Sequence, residues 1–239
     1  MLPMRVIVIQ FSGSTCDRDL VHAMRNVMNW DVDFVWYKDA INILSKYDAI
    51  FLPGGFAYGD HLRAGIIAAY TPVMKNVKQL AKEGLPVFGI CNGFQILVES
   101  ELLPGALIGN DTLRFSCKWT NLRVESTRSA ATNKGNKGDI WRIPIAHGEG
   151  RYYLDDKGLK ELNENDQVVW RYVSDDGKIT AEGNPNGSIE NIAGICNLEG
   201  NVVGLMPHPE RASESILSPW GSDHGKLYFQ SLENYFRRG

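Results

Sequence analysis

Gly84-Leu85-Pro86-Val87-Phe88-Gly89-Ile90-Cys91-Asn92-Gly93-Phe94-Gln95-Ile96-Leu97 is the stretch on which the fold turns. Pro86 to Ile90 is an apolar run of the right length for a strand buried on both faces and too short for a core helix. Asn92 to Glu99 follows at once with apolar residues at helical spacing, Phe94, Leu97 and Val98. Cys91 therefore falls where a strand turns into a helix, flanked by Gly89 and Gly93. Such a turn presses backbone against backbone, and residues without Cβ relieve the crowding. The pattern is a nucleophile elbow of the G-x-S-x-G kind with sulfur in place of oxygen. A thiolate at a helix N-terminus is stabilised by unpaired N–H groups and the helix dipole, which predicts a pKa below the free value of roughly 8.5. The Asn92 N–H would face an oxygen that gains negative charge beside the sulfur. The alternative, an inert buried thiol, is disfavoured because both glycines and the strand-to-helix context occur together.

Working outward, Arg5 to Gln10 is an apolar strand, Phe11 to Cys16 a loop, and Asp17 to Met28 a helix with Leu20, Val21, Met24, Val27 and Met28 on one face. Val32 to Trp36 and Ala49 to Leu52 are further strands, the second ending at Pro53-Gly54-Gly55. Thr71-Pro72 opens a helix to about Glu83, with proline at its first position. Strands and helices alternating in this order imply right-handed crossovers. The expected fold is α/β: a single flavodoxin-like domain over residues 1–239, a mostly parallel central sheet with helices on both faces. Reactive groups should gather at the carboxyl ends of its strands, where Cys91 and Gly54-Gly55 both fall.

The second half is less regular. Ala106 to Gly109, Lys118 to Val124 and Val168 to Val173 read as strands, and Ile192 to Asn197 with Val202 to Met206 as a hairpin around Leu198 to Asn201. These predict a small antiparallel extension. A helix is expected near Gly158 to Asn163, and Gly225 to Phe236 closes the chain as another. Ser126 to Asp139 is polar, glycine-containing and aperiodic, and reads as a mobile surface loop. Its Lys134-Gly135-Asn136-Lys137-Gly138 portion lacks the spacing of a phosphate loop.

Composition excludes some functions. Lys plus Arg is 25 against 28 Asp plus Glu, a net charge of −3, which supplies no electrostatic reason to bind nucleic acid or an anionic membrane. No apolar run approaches the roughly 20 residues of a membrane span, and the amino terminus lacks the apolar core of a signal peptide. Cys16, Cys91, Cys117 and Cys196 show no C-x-x-C spacing, which argues against a metal site and suits a reducing cytoplasm.

A base for Cys91 appears in Gly204-Leu205-Met206-Pro207-His208-Pro209-Glu210. Prolines on both sides of His208 limit its backbone. Glu210, two residues on, can reach the second ring nitrogen, fix the tautomer and stabilise the imidazolium. Cys16, also near a helix start, is the rival nucleophile.

The G-x-C-x-G elbow with a late H-x-E resembles the triad, or class I, glutamine amidotransferases. The resemblance implies that Cys91 attacks the side-chain amide of L-glutamine, His208 acts as general base and acid, and Glu210 orients it. It implies a second oxyanion N–H at Gly55 beside that of Asn92. It also implies that Gln95 helps to hold the substrate, a solvated helix position being the other reading of Gln95. Pro53 to Gly65, Ala146 to Tyr152 (with His147 and Glu149), Asn184 to Ser188 and Met206 to Arg211 narrow the resemblance to the glutaminase subunits of phosphoribosylformylglycinamidine synthase. That family implies a cytoplasmic chain without a cofactor of its own. It would pass ammonia to a separate large synthetase subunit (PurL type), which carries ATP and Mg, alongside a small third subunit (PurS type), in de novo purine biosynthesis. Ammonia released into water at neutral pH is protonated and no longer nucleophilic, so the chain is expected to be a poor glutaminase alone and to improve on docking through a peptide flip in Phe56 to Asp60, with Phe56, Tyr58, Tyr152 and Tyr153 as interface anchors. A cysteine peptidase of a related elbow-bearing α/β family, a glutaminase serving another synthetase, and a binding module without activity are the competing readings.

Overall fold

Strands covered on both faces need continuous apolar sequence, and Val6, Ile7, Val8 and Ile9 are all fully buried in β1 (Arg5–Gln10). The computed structural model describes residues 3–236. Further strands are β2 (Asp31–Trp36), β3 (Ala49–Leu52), β4 (Val87–Ile90), β5 (Ala106–Ile108), β6 (Ser116–Val124), β7 (Ile140–His147), β8 (Arg151–Tyr153), β9 (Val168–Val173), β10 (Ile192–Cys196) and β11 (Val202–Leu205). The helices are α1 (Asp17–His22), α2 (Tyr37–Ala40), α3 (Ile66–Ala69), α4 (Pro72–Lys82), α5 (Asn92–Glu99), α6 (Asp156–Glu164) and α7 (His224–Phe236). The π-helical turn Ala23–Val27 continues α1 almost to the Met28 expected from periodicity.

One nine-stranded sheet runs in the order β2-β1-β3-β4-β11-β10-β9-β6-β7, and β5 with β8 forms a separate two-stranded ribbon. The β2-β1-β3-β4-β11 pairs are parallel and the remaining pairs antiparallel. The antiparallel extension thus continues the parallel sheet instead of packing as a separate layer. Phe51 and Phe88 stack with ring centroids 4.8 Å apart, and Tyr228 and Phe229 of α7 close over this part of the core.

The position of β4 explains the site. β4 lies between β3 and β11, in the registers Leu52↔Gly89 and Leu205↔Ile90. The chain leaving each of these three strands therefore emerges side by side, carrying Gly54-Gly55, Cys91 and His208.

The loop from Ser126 to Asp139 differs from expectation. Ser129, Ala130, Ala131 and Thr132 are fully buried. Ala130 N–H donates to Gly200 O at 2.9 Å, and Lys134 N–H to Ser231 Oγ at 3.2 Å in α7. The segment is aperiodic because its small residues fill a gap between the hairpin turn and α7, with backbone groups bonded across that gap. Its first half is a packed plug, while Lys134 and Asn136 to Gly138 are exposed as a surface loop would be.

Candidate active site

Cys91 has φ +52° and ψ −108°, a conformation that costs a non-glycine residue about 1–3 kcal/mol and persists only where surroundings enforce it. They do so here. Its N–H donates to Leu205 O at 2.8 Å, and its carbonyl accepts from Phe94 N–H at 2.9 Å. A Cβ on Gly89 would strike the Gly93 carbonyl, and one on Gly93 the Leu52 carbonyl. Both glycines are required by close backbone approach, as the elbow pattern implied.

His208 sits two residues beyond Met206, just past the end of β11 and beside the elbow. Its Nδ1 lies 2.6 Å from Glu210 Oε1, and both side chains are 1% exposed. His208 N–H is fixed to Pro144 O at 2.8 Å, and Ser213 Oγ donates to the Glu210 carbonyl at 3.0 Å. Burial alone would lower the imidazole pKa. The charges and hydrogen bonds of Glu210 and Cys91 outweigh it and hold His208 well above its ordinary value. With Nδ1 bonded to Glu210, Nε2 is the nitrogen left to face Cys91 and exchange a proton. Cys91, His208 and Glu210 are thus brought together as nucleophile, base and orienter were expected to be.

Cys91 opens onto a cavity of about 260 Å³ lined also by Gly55, Phe56, Asp60, Gln95 and Glu149. Larger clefts of about 500 and 650 Å³, near Trp119 and near Leu162, hold none of these groups. Gly55 pairs with Ser14 in an isolated bridge whose two bonds are Phe56 N–H to Gly13 O (2.9 Å) and Thr15 N–H to Gly54 O (3.2 Å). In that geometry the N–H of Gly55 points away from the paired segment. Neither it nor the Asn92 N–H finds an acceptor among the described residues. Both remain available to an oxyanion beside Cys91. Gly55 has φ +150°, and a Cβ there would meet Gly13 O at 2.6 Å. The Gly54 carbonyl also accepts from Cys16 N–H at 3.1 Å, so a flip of the Gly54–Gly55 peptide must break two bonds.

The Asn92 side chain is a hub that the sequence did not disclose. Its Oδ1 accepts from Ala57 N–H at 3.0 Å, and its Nδ2 donates to Asp60 Oδ1 at 3.1 Å and to Gln95 Oε1 at 2.8 Å. Gln95 Nε2 in turn donates to the Glu149 carbonyl at 2.7 Å. Gln95 is therefore not a solvated helix residue. It is buried, it lines the cavity, and it ties α5 to the turn after β7.

Two motifs that had no role in the sequence hold each other. His147 Nδ1 is 3.1 Å from Asn110 Oδ1, and Asn186 Nδ2 donates to Gly150 O at 2.8 Å. Burial and the nearby charge of His208 lower His147 to about 4, so it is neutral at pH 7 and serves packing. Asn110 carried no sequence signal; Asp60, beside Gly59 in the glycine-rich loop, carried a faint one.

Cys16 is buried behind the triad, and Arg211 Nη2 lies 3.3 Å from its sulfur. Burial pushes its thiol pKa up. Cys16 does not line the cavity, which removes it as the rival nucleophile. Ligand atoms of Cys16, His208 and Glu210 lie within 4.8 Å of one another, the set best placed among the described residues to hold a soft cation. An ion there would compete with the His208–Glu210 bond. Of the expected interface aromatics, Tyr152 is buried against Phe94 and is not free to anchor a partner, and Tyr58 is half-buried against Tyr37. Phe56 and Tyr153 are exposed, as are Leu113 and Phe115 near the mouth.

A buried Cys-His-Glu set thus stands at the strand ends of a doubly covered sheet. Residues 3–238 match the CobB/CobQ-like glutamine amidotransferase domain, and the chain belongs to that family. It is 55% identical over 232 residues to phosphoribosylformylglycinamidine synthase subunit PurQ of Methanosarcina barkeri, covering 97% of this chain and 98% of the relative. It is 52% identical to the PurQ subunit of Aquifex aeolicus, covering 96% and 99%. Among solved structures, a chain in the structure of PurLQS from Thermotoga maritima superposes with a TM-score of 0.83 at 44% identity, covering 99% of this chain and 100% of that one.

Proposed function

We propose that this chain, a single glutamine amidotransferase domain, is the glutaminase subunit of a phosphoribosylformylglycinamidine synthase. It hydrolyses L-glutamine and supplies ammonia for purine biosynthesis. The observation that carries the reading is the buried His208–Glu210 pair at 2.6 Å beside the strained Cys91 elbow, opening on an amino-acid-sized cavity.

The geometry supports a two-stage reaction. The Cys91 thiolate attacks the side-chain amide carbon, and the oxygen gains charge against the N–H groups of Gly55 and Asn92. His208 Nε2 gives its proton to the departing nitrogen, ammonia leaves, and a γ-glutamyl thioester remains. A water molecule then gives its proton to Nε2 and attacks the thioester carbon, releasing glutamate and the thiolate. Glu210 holds the tautomer throughout.

The full-length likeness to PurQ subunits and to a chain of PurLQS supports a PurL-type synthetase and a PurS-type small subunit as partners. ATP and Mg would act on the synthetase. No helix among the described residues is long and apolar enough to cross a membrane, and four unpaired cysteines fit a cytoplasmic setting. The test is glutamate release from L-glutamine and labelling by a glutamine-like electrophile, with the PurL-type and PurS-type subunits added. A peptide cleaved in place of glutamine would favour the peptidase reading.

A further inference from the structure

Glu210 uses one oxygen and leaves the other open. Oε1 takes Nδ1 of His208 at 2.6 Å, while Oε2 is buried and bonded to no group among the described residues. The terminal torsion of a glutamate is broad, so one hydrogen bond by itself does not fix the carboxylate plane. The chain supplies a brace from behind. Arg211, the next residue, reaches α1: its Nε donates to Asp19 Oδ2 at 3.1 Å and its Nη2 to Cys16 Sγ at 3.3 Å. Cys16 is itself held by its backbone, its N–H donating to Gly54 O and its carbonyl accepting from Leu20 N–H, each at 3.1 Å. Its sulfur stands beside the His208 ring: a Cβ on Gly54 would come within 2.9 Å of His208 Cε1 and 3.2 Å of Cys16 Sγ. Polar atoms of Cys16, His208 and Glu210 lie within 4.8 Å of one another.

The surroundings of the sulfur limit what it can do. It is off the cavity, so it does not meet substrate. A guanidinium donating to it opposes a second cation at the same place, which argues against a bound metal. Burial keeps the thiol protonated at pH 7. With Arg211 donating to the sulfur, the S–H is left as a donor, and the neighbouring carboxylate has an acceptor open at Oε2. Resting on the glutaminase reading above, we propose that Cys16, aimed by Arg211, is a positioning residue of the triad, its thiol donating to Glu210 Oε2 and bracing the edge of the imidazole. The contact closes as substrate fills the cavity, in the way that catalytic hydrogen bonds shorten from the free enzyme to the complex. Donation to Oε2 leaves Oε1 on Nδ1 while His208 carries its proton, so the imidazolium stays in the orientation that serves Cys91. The Cys16 N–H, bonded to the Gly54 carbonyl, ties the same brace to the peptide that carries the Gly55 donor.

Glutamine hydrolysis should be measured for the full chain with its synthetase partners, in wild type, Cys16→Ala, Cys16→Ser, Arg211→Met and the Cys16→Ala, Arg211→Met double variant. Cys16→Ala should lower kcat about tenfold with KM within about twofold of wild type. Serine keeps a donor at this position and should restore kcat to within about threefold of wild type. Arg211→Met keeps the stem without the guanidinium and should reproduce the Cys16→Ala loss. The double variant should lose no more than the larger single loss, because the two side chains act as one unit. A wild-type kcat in Cys16→Ala, a loss in Cys16→Ser as deep as in Cys16→Ala, or additive losses in the double variant would each overturn the proposal. Where Cys16→Ala does not fold, Arg211→Met decides, and a wild-type kcat there overturns it. Tyr228 of α7 carries a buried hydroxyl, without a partner among the described residues, whose ionisation feels the charge of Glu210. Tyr228→Phe should keep the wild-type kcat, and a loss confined to that variant would assign the second donor to α7 instead of Cys16. A wild type that releases no glutamate would overturn the glutaminase reading beneath the proposal, and the two failures are distinct.

Discussion

The two walls of the active-site cavity are built differently. One consists of the Cys91 elbow, His208 and Glu210, set on the ends of adjacent parallel strands and buried. Its groups are fixed by backbone bonds from Leu205 and Pro144. The other wall is the loop from Gly55 to Leu62, where Tyr58, Asp60 and Leu62 have positive φ and Phe56 and Leu62 are exposed. Chemistry needs atoms held within fractions of an ångström, and strand ends supply that rigidity. Binding and gating need a segment with more than one accessible conformation, and a strained, partly exposed loop supplies it. A partner that acts on this enzyme therefore has one wall to work on, and it is the loop.

The largest effect that can break this contrast is at the elbow. Cys91→Ala should abolish both glutamate release and electrophile labelling, while Cys16→Ala keeps labelling, because Cys16 lies behind the triad and off the cavity. Labelling that survived Cys91→Ala would reverse the assignment of the walls. Glu210→Gln should lower kcat by about 10³–10⁴ with KM nearly unchanged, since Glu210 acts on the imidazole and not on substrate. A normal kcat with a raised KM would take Glu210 out of the triad.

Gly55→Ala tests the hinge between the walls. The added methyl meets Gly13 O in a backbone region that alanine rarely adopts, and displacing one oxyanion donor costs about 10²–10³ in kcat. An unchanged kcat would show that the N–H of Gly55 is not used. Docking the synthetase should raise glutamate release by acting on Phe56 to Leu62 rather than by flipping the Gly54–Gly55 peptide, whose carbonyl is pinned by Thr15 and Cys16. Amide exchange should then slow on binding at Phe56 to Leu62 and stay unchanged in the elbow helix. Equal turnover with and without the partner would remove this coupling and leave the triad standing.

The smallest effects come from Asp60, which Asn92 and Gly65 N–H face from the protein and Glu149 and the neutral His147 face across the cavity. Its carboxyl in the free enzyme ionises near 6. A folded-state pKa raised from 3.8 to about 6 means that the contribution of Asp60 to stability is fully present below 3.8 and is lost as pH rises through 6. Asp60→Asn should therefore melt slightly higher than wild type at pH 7.5 and no higher at pH 3.5, by calorimetry.

Local order was legible in the chain because it is written in short-range patterns. The apolar run before Cys91, the two glycines around it, and the prolines around His208 each act within a few residues, and together they specified the elbow, the base and its orienter. The parallel sheet followed from the alternation of strand and helix periods. What tertiary structure alone decided is which distant residues share a space. The strand order set β4 between β3 and β11 and so brought Gly55, Cys91 and His208 together. It also made a plug of Ala130 and Ala131, and a core residue of Tyr152. The Asp60–Asn92–Gln95–Glu149 chain of contacts links two separate loops through a helix. No periodicity records such a network, because hydrogen-bond partners are chosen by proximity in the folded state and not by spacing along the sequence.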